Sequence, residues 1–212
     1  MKLVIIYVYP DLNPHIYKAL ARRFVDTYME YPPGGTDHEI IVAVNSGRSD
    51  NPEYARLMSP LACQFMMHNN EGKDIGAYQL AARQLDCDLM ICLGAPIHFH
   101  RAGWLDRIAN AYEQNGPGLY GAWAFYEPSH HIRTTAFWLP PELLRSYPYV
   151  IQNDTRYEFE HGKRNIHAYA KSKGMESFML TWQGCFTPPQ WQHVTREDSL
   201  LLDQHTEKHH LQ

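Results

Sequence analysis

The chain of 212 residues is 44% hydrophobic and 20% charged. That is a globular composition, long enough for a substantial core, and it excludes collagen-like and disordered chains. With 19 Lys plus Arg against 23 Asp plus Glu the net charge is -4, and no basic block stands out, so electrostatics give no support to a nucleic-acid partner. Four cysteines (Cys63, Cys87, Cys92, Cys185) form no CxxC pair and read as reduced thiols of a cytoplasmic protein.

The apolar run at residues 3–9 (LVIIYVY) is too short for a membrane span, lacks a small-residue cleavage site, and reads as a buried strand ending at Pro10. A helix is predicted over 14–29, with Ile16, Leu20 and Phe24 at helical spacing, stopped by the PPGG turn at 32–35. Strands follow at 40–44 and 63–67. Asp74 can cap a helix through Ile75, Tyr78, Ala82 and Leu85. A fully apolar strand at 89–93 breaks at Gly94, Ala95 and Pro96, and a helix over 103–114 carries Trp104, Leu105, Ile108 and Tyr112 inward. Further strands are predicted at 119–125, 133–139 and 177–182, with a helix near 162–173. Residues 1–187 thus read as one domain, and 188–212 as a polar C-terminal tail to which no structure is assigned. Short apolar strands alternating with amphipathic helices define an α/β architecture with a mainly parallel sheet. Ligands of such sheets gather at the carboxyl ends of the strands. Here those ends are Tyr9 and Pro10, Asn45 to Gly47, His68 to Lys73, and Gly94 to Pro96.

Three stretches in this order resemble the GT-A glycosyltransferases, in particular the family 2 type and its rhamnan-synthesis-like branch. They are residues 38–50 (HEIIVAVNSGRSD), residues 69–77 (NNEGKDIGA), and residues 88–96 (DLMICLGAP) followed by Gly103, Trp104 and Leu105. The resemblance covers about residues 3–182. It implies a three-layer, Rossmann-like nucleotide-diphospho-sugar transferase fold, a nucleoside-diphosphate-sugar donor and a glycan or other hydroxyl acceptor. It carries base and ribose binding onto Tyr9, Pro10 and Asn45, with an amide at Asn45 where the family has an acid. Asn70, Gly72, Lys73 and Asp74 fall near ribose and phosphates. On the residues alone, Asp74 accepts from a ribose hydroxyl or caps its helix, and Lys73 opposes phosphate charge or is a solvated surface cation.

The chain departs from the family at the metal. An Asp-x-Asp normally follows the strand at 89–93 and holds a divalent ion, Mn²⁺ or Mg²⁺, against the diphosphate; here the position is Gly94, Ala95 and Pro96. The literal Asp86-Cys87-Asp88 precedes the strand and, a strand of this length spanning about 16–17 Å, sits at the wrong sheet edge. His98 and His100, two residues apart, face one way if extended. They are the candidate metal ligands or, with Arg101, cations for the diphosphate; the alternative is that both hydrogen-bond loop backbone. Inverting transfer needs a base opposite the leaving group. The stretch 156–162 (RYEFEHG) stands where the family has its acidic motif, which makes Glu160 the candidate base and Glu158 its orienter; otherwise both are ion-pair partners of Arg156 or Arg133. Residues 130–138 (HHIRTTAFW) lie where the family approaches sugar and acceptor, so Arg133, Thr134, Trp138 and, beyond them, His161 complete the candidate set, with Trp138 either a stacking platform or core. A family member that binds nucleotide or glycan without turnover is the alternative function. His205 and His209 are read as a solvated pair rather than metal ligands.

Overall fold

The computed structural model describes residues 1–11, 14–45, 53–127 and 129–207. In chain order the elements are β1 (Leu3–Tyr9), α1 (Pro14–Glu30), β2 (His38–Asn45), α2 (Glu53–Met58), β3 (Cys63–His68), α3 (Lys73–Gln84), β4 (Leu89–Leu93) and α4 (Trp104–Asn115). There follow β5 (Leu119–Gly121), β6 (Ala124–Phe125), β7 (His131–Ile132), β8 (Ala136–Leu139), α5 (Pro141–Arg145), α6 (Arg156–Glu160), α7 (Ile166–Ser172), β9 (Ser177–Leu180) and β10 (Cys185–Phe186).

Eight strands form one sheet in the order β10-β9-β5-β8-β4-β1-β2-β3, and β6 and β7 form a separate two-stranded ribbon. β1 pairs in parallel with both β2 and β4, with Leu3 opposite His38 on one side and Leu89 on the other. β8 runs antiparallel to both β4 and β5, and β9 returns parallel to β5. Every residue of β1 and β4 is buried, as expected for strands covered on both faces.

Strand alternation divides the core into two layers. Leu3, Ile5, Tyr7 and Tyr9 face Ala21, Phe24 and Val25 of α1 and the apolar side of α4. Val4, Ile6 and Val8 face Ile75 and Tyr78 of α3, with Leu143, Phe159 and Ile166 from α5, α6 and α7 in the same layer. Each such side chain contributes on the order of 1.5–3 kcal/mol when fully buried. Of the stripe expected on α1, Phe24 is buried but Ile16 is exposed, and Ala21 and Val25 complete the inward face.

The segment 156–160 is helical, and residues two apart on a helix do not share a face: Glu160 is buried while Glu158 is exposed. The polar tail expected from residue 188 packs against the fold as far as it is described. Trp191, Leu200, Leu201 and Leu202 are buried, and the Trp191 indole N–H donates to the Phe186 carbonyl at 2.9 Å. The Leu202 N–H donates to the His98 carbonyl at 3.1 Å, and the His98 N–H to the Leu202 carbonyl at 3.0 Å. No helix among the described residues is long and apolar enough to cross a membrane.

Candidate functional site

The strand order reverses at β1, whose neighbours are β2 and β4. At the carboxyl edge beside that reversal lies a cavity of about 380 Å³. Val8 and Pro10 come to it from β1, Asn45 from the end of β2, and Asn70, Lys73 and Asp74 from the turn into α3. Gly94, Ala95 and Pro96 come from the end of β4, and Tyr17, Thr135 and Arg156 close the wall. Ser46 to Asp50, the rest of the expected loop after β2, lie outside the described residues.

The backbone of this rim is held from behind. The Tyr7 hydroxyl, buried in the sheet, donates to the Ala95 carbonyl at 3.2 Å, and its burial pushes its pKa well above the ordinary value. The Gly94 N–H donates to the Thr135 carbonyl at 2.8 Å, and Ile97 closes a turn onto the Gly94 carbonyl at 3.1 Å. On the other wall the His68 Nδ1 lies 3.1 Å from the Asn45 carboxamide oxygen and accepts the Asn70 N–H at 3.1 Å. Burial lowers the His68 pKa, which keeps the ring neutral in that role. Asn70 and Lys73 both adopt positive φ, 66° and 54°, a conformation that costs a lysine energy, and the Lys73 N–H closes the turn onto the Asn70 carbonyl at 3.1 Å.

The charged groups are few. Asp74 sits in the first turn of α3, and both its oxygens are taken by Arg156, from Nε at 2.7 Å and from a terminal nitrogen at 2.8 Å. It is therefore neither the helix cap nor an unengaged ribose acceptor; Gly72 is the cap residue. The Asp74 carboxylate raises the Arg156 pKa still further. Lys73 is exposed at the mouth and makes no ion pair among the described residues. One cation is thus left over once Asp74 and Arg156 cancel, and the N-terminus of α3 adds positive potential.

Several expected residues are elsewhere. Tyr9 is buried on the opposite sheet face, 6.3 Å from the Tyr54 ring, so it does not line the cavity. Gly72 packs on backbone instead: at φ +70° a Cβ there would stand 2.2 Å from the Ile151 carbonyl oxygen, and its N–H donates to Asn153 at 3.1 Å. His98 and His100 each contact a backbone carbonyl, the alternative to metal ligation that the sequence leaves open, and neither lines the cavity. The His98 Nδ1 contacts the Pro96 carbonyl at 3.3 Å, and the His100 Nε2 contacts that of Ser199 at 2.9 Å. Arg101 stacks on Trp182 at 4.4 Å. Asp88 accepts the Lys2 N–H at 2.7 Å, at the amino edge of the sheet.

On the expected acceptor side, Arg133 pairs with buried Asp203 at 2.9 Å, and Trp138 is fully buried in the core rather than offered as a platform. Thr134 is fully buried; its N–H donates to Glu160 Oε2 at 3.3 Å, and its hydroxyl donates to the same oxygen. His161 Nε2 lies 3.0 Å from Glu160 Oε1. Glu160 therefore is not among the lining residues; it stands behind the wall, bonded to Thr134, the residue before the lining Thr135. Arg156, Thr135 and Tyr17 were missed as lining residues. Arg156 reaches Asp74 across 82 residues of chain, a distance over which sequence carries no pairing signal. A larger cavity, about 880 Å³, opens between His130, His167, Lys171 and Pro188; its strand residue, Ser177, begins β9, so it is not at a carboxyl edge.

The three-layer sheet with β8 reversed is a GT-A-type nucleotide-diphospho-sugar transferase fold, and known structures share it. Mouse xyloside xylosyltransferase 1 superposes with a TM-score of 0.55 at 9% identity, over 85% of this chain and 86% of that one. A Bacillus anthracis protein described as a glucose-1-phosphate thymidylyltransferase gives 0.51 at 10% identity, over 87% and 88%. S. aureus TarS gives 0.50 at 9% identity over 70% of this chain, which spans only 30% of TarS. At these identities the likeness establishes the fold alone. No family model and no curated protein sequence matches the chain.

Proposed function

We propose that the chain is a glycosyltransferase-type protein whose 380 Å³ cavity receives the nucleoside diphosphate of an activated sugar, for transfer to a hydroxyl acceptor. The observation that carries this reading is the convergence of four separate strand ends on one cavity at the sheet's reversal point. Asn45 and Asn70 offer amide donors and acceptors to a base or ribose. The backbone of Gly94 to Pro96 permits close approach of a diphosphate. Lys73 and the N-terminus of α3 supply its countercharge. The glycosyltransferases among the structural neighbours support the same reading.

Inverting transfer, which the family resemblance implies, needs a carboxylate facing the acceptor. Asp74 is bound to Arg156, and Glu160 is bound to Thr134 and His161. That engagement favours a second reading, nucleotide or glycan binding without turnover. In the catalytic reading Glu160 leaves Thr134 to act as base.

Calorimetric titration with UDP, GDP and dTDP tests the site, and hydrolysis or transfer from the corresponding nucleotide-sugars tests turnover. Binding that K73A weakens supports the cavity; failure of all three nucleotides to bind overturns it. Turnover abolished in E160Q with nucleotide binding retained supports the base, and binding without turnover in the unaltered protein favours the second reading.

A further inference from the structure

A second chemical site stands where the β6–β7 ribbon meets α6. His131 begins β7 and is 3% exposed. Its Nδ1–H donates to the Ser129 carbonyl at 2.8 Å, which fixes the tautomer and leaves the Nε2 lone pair as the ring's unshared acceptor. That buried Nε2 has no hydrogen-bond partner among the described residues. The ring of His161, at the C-terminal end of α6, stands 4.4 Å away at 74° to it. Glu160 lies between these imidazoles and Thr134: its Oε2 takes both Thr134 donors, and its Oε1 is 3.0 Å from His161 Nε2.

One ligand atom from each of His131, Glu160 and His161 lies within 4.8 Å of the other two. In a tetrahedral site with bonds of ~2.0–2.1 Å, ligand atoms stand ~3.3 Å apart, so small side-chain rotations bring all three onto one ion. Everything a first coordination shell requires is present: a neutral imidazole with its other nitrogen bonded to a carbonyl, a carboxylate oriented by a buried threonine, and a second imidazole. We propose that His131, Glu160 and His161 form a three-ligand site for a borderline transition-metal dication of the Zn²⁺ class.

Two nitrogens and one oxygen suit such an ion and disfavour Mg²⁺ and Ca²⁺, which take oxygen shells. His161, with 34% of its side chain exposed, gives the ion a route from solvent and leaves a fourth position for water or a substrate oxygen. The site is separate from residues 94–101 and its argument does not rest on the donor-site reading, but it shares Glu160 with it: a carboxylate held on the ion is not the base of that reading.

The test is titration of the chelator-treated full chain with Zn²⁺ alone, followed by calorimetry and thermal unfolding, with Co²⁺ as a visible-absorption probe of nitrogen-containing, low-coordinate geometry. We expect one ion per chain and a raised unfolding temperature. T134V, which removes the partner orienting Glu160, lowers affinity about tenfold to a hundredfold. H131A and H161A lower it further, and H193A, a surface control, leaves it unchanged. Circular dichroism of each metal-free variant shows that it is folded, and if H131A does not fold, the partly exposed H161A carries the test. Three results each overturn the proposal: no stoichiometric Zn²⁺ uptake, uptake that survives H161A in folded protein, or an equal response to Mg²⁺.

Discussion

Among the described residues Lys73 carries the cavity's surplus positive charge, on a side chain in no ion pair with them, so its removal separates binding from folding. A hydrogen bond to a charged group contributes about 1.5–3 kcal/mol, and we expect K73A to weaken nucleoside-diphosphate binding by about tenfold or more with the unfolding temperature unchanged. The Asp74–Arg156 pair behaves oppositely. Its fork is bidentate and partly buried, with 18% and 34% of the two side chains exposed, so R156K, which cannot reproduce two parallel bonds, lowers stability as well as binding. Chemical denaturation of R156K and K73A side by side reads the difference. Gly72 gives a third outcome: G72A meets the Ile151 carbonyl and an unfavourable φ together, and we expect a lowered unfolding temperature in calorimetry. Asn45, Asn70, Lys73 and the 94–96 turn were legible from sequence because each lies at the carboxyl end of a strand or on the short connection from it into the next element. Arg156, Thr135 and the true duty of Asp74 were not, since only the folded chain brings 74 and 156 together.

The short segments taught the harder lessons. β1, β2 and β4 are continuous apolar runs, and a run of that length buried on both faces has few other solutions. The stretch 156–160 has no such run, and its alternation of Tyr, Glu and Phe reads equally well as extended chain or as one helical turn. Tertiary contact decides: Phe159 inserts into the core beside Phe137 and Tyr147, and the helix follows. The segment from 188 looked polar because its few apolar residues, Trp191, Val194, Leu200 to Leu202 and Leu211, follow no helical or strand period. Trp191, Leu200 and Leu201 nonetheless cover the α4 side of the sheet and the β6–β7 ribbon. L201A should therefore cost about 2–4 kcal/mol, the range for a buried leucine, measured by urea denaturation against a surface leucine control.

Among the described residues, four histidines have pKa values lowered chiefly by burial: His68, His98, His131 and His167. For His167 the value falls from 6.5 to about 4. Between those values the unfolded chain binds a proton that the folded chain refuses, so stability rises with pH there and is lost as pH falls. We expect unfolding free energy to be flat between about pH 7 and pH 8 and to decline from about pH 6.5 downward, before most carboxylates titrate. The pH series, repeated on H167Q, should show a shallower decline; an identical slope removes His167 from the account. The antiparallel insertion of β8 between β4 and β5 was beyond reach of pattern reading, because strand direction leaves no mark on four buried residues.

The reciprocal bonds between His98 and Leu202 tie the turn beneath the cavity to a stretch some hundred positions downstream. During synthesis, the ribosome must deliver that stretch before the turn has its final support, although the first four strands have long since emerged. A product truncated by premature termination near codon 195 would keep most of the sheet yet lose the brace under its pocket, so quality control by proteases would meet a half-finished molecule rather than a weakened but working one.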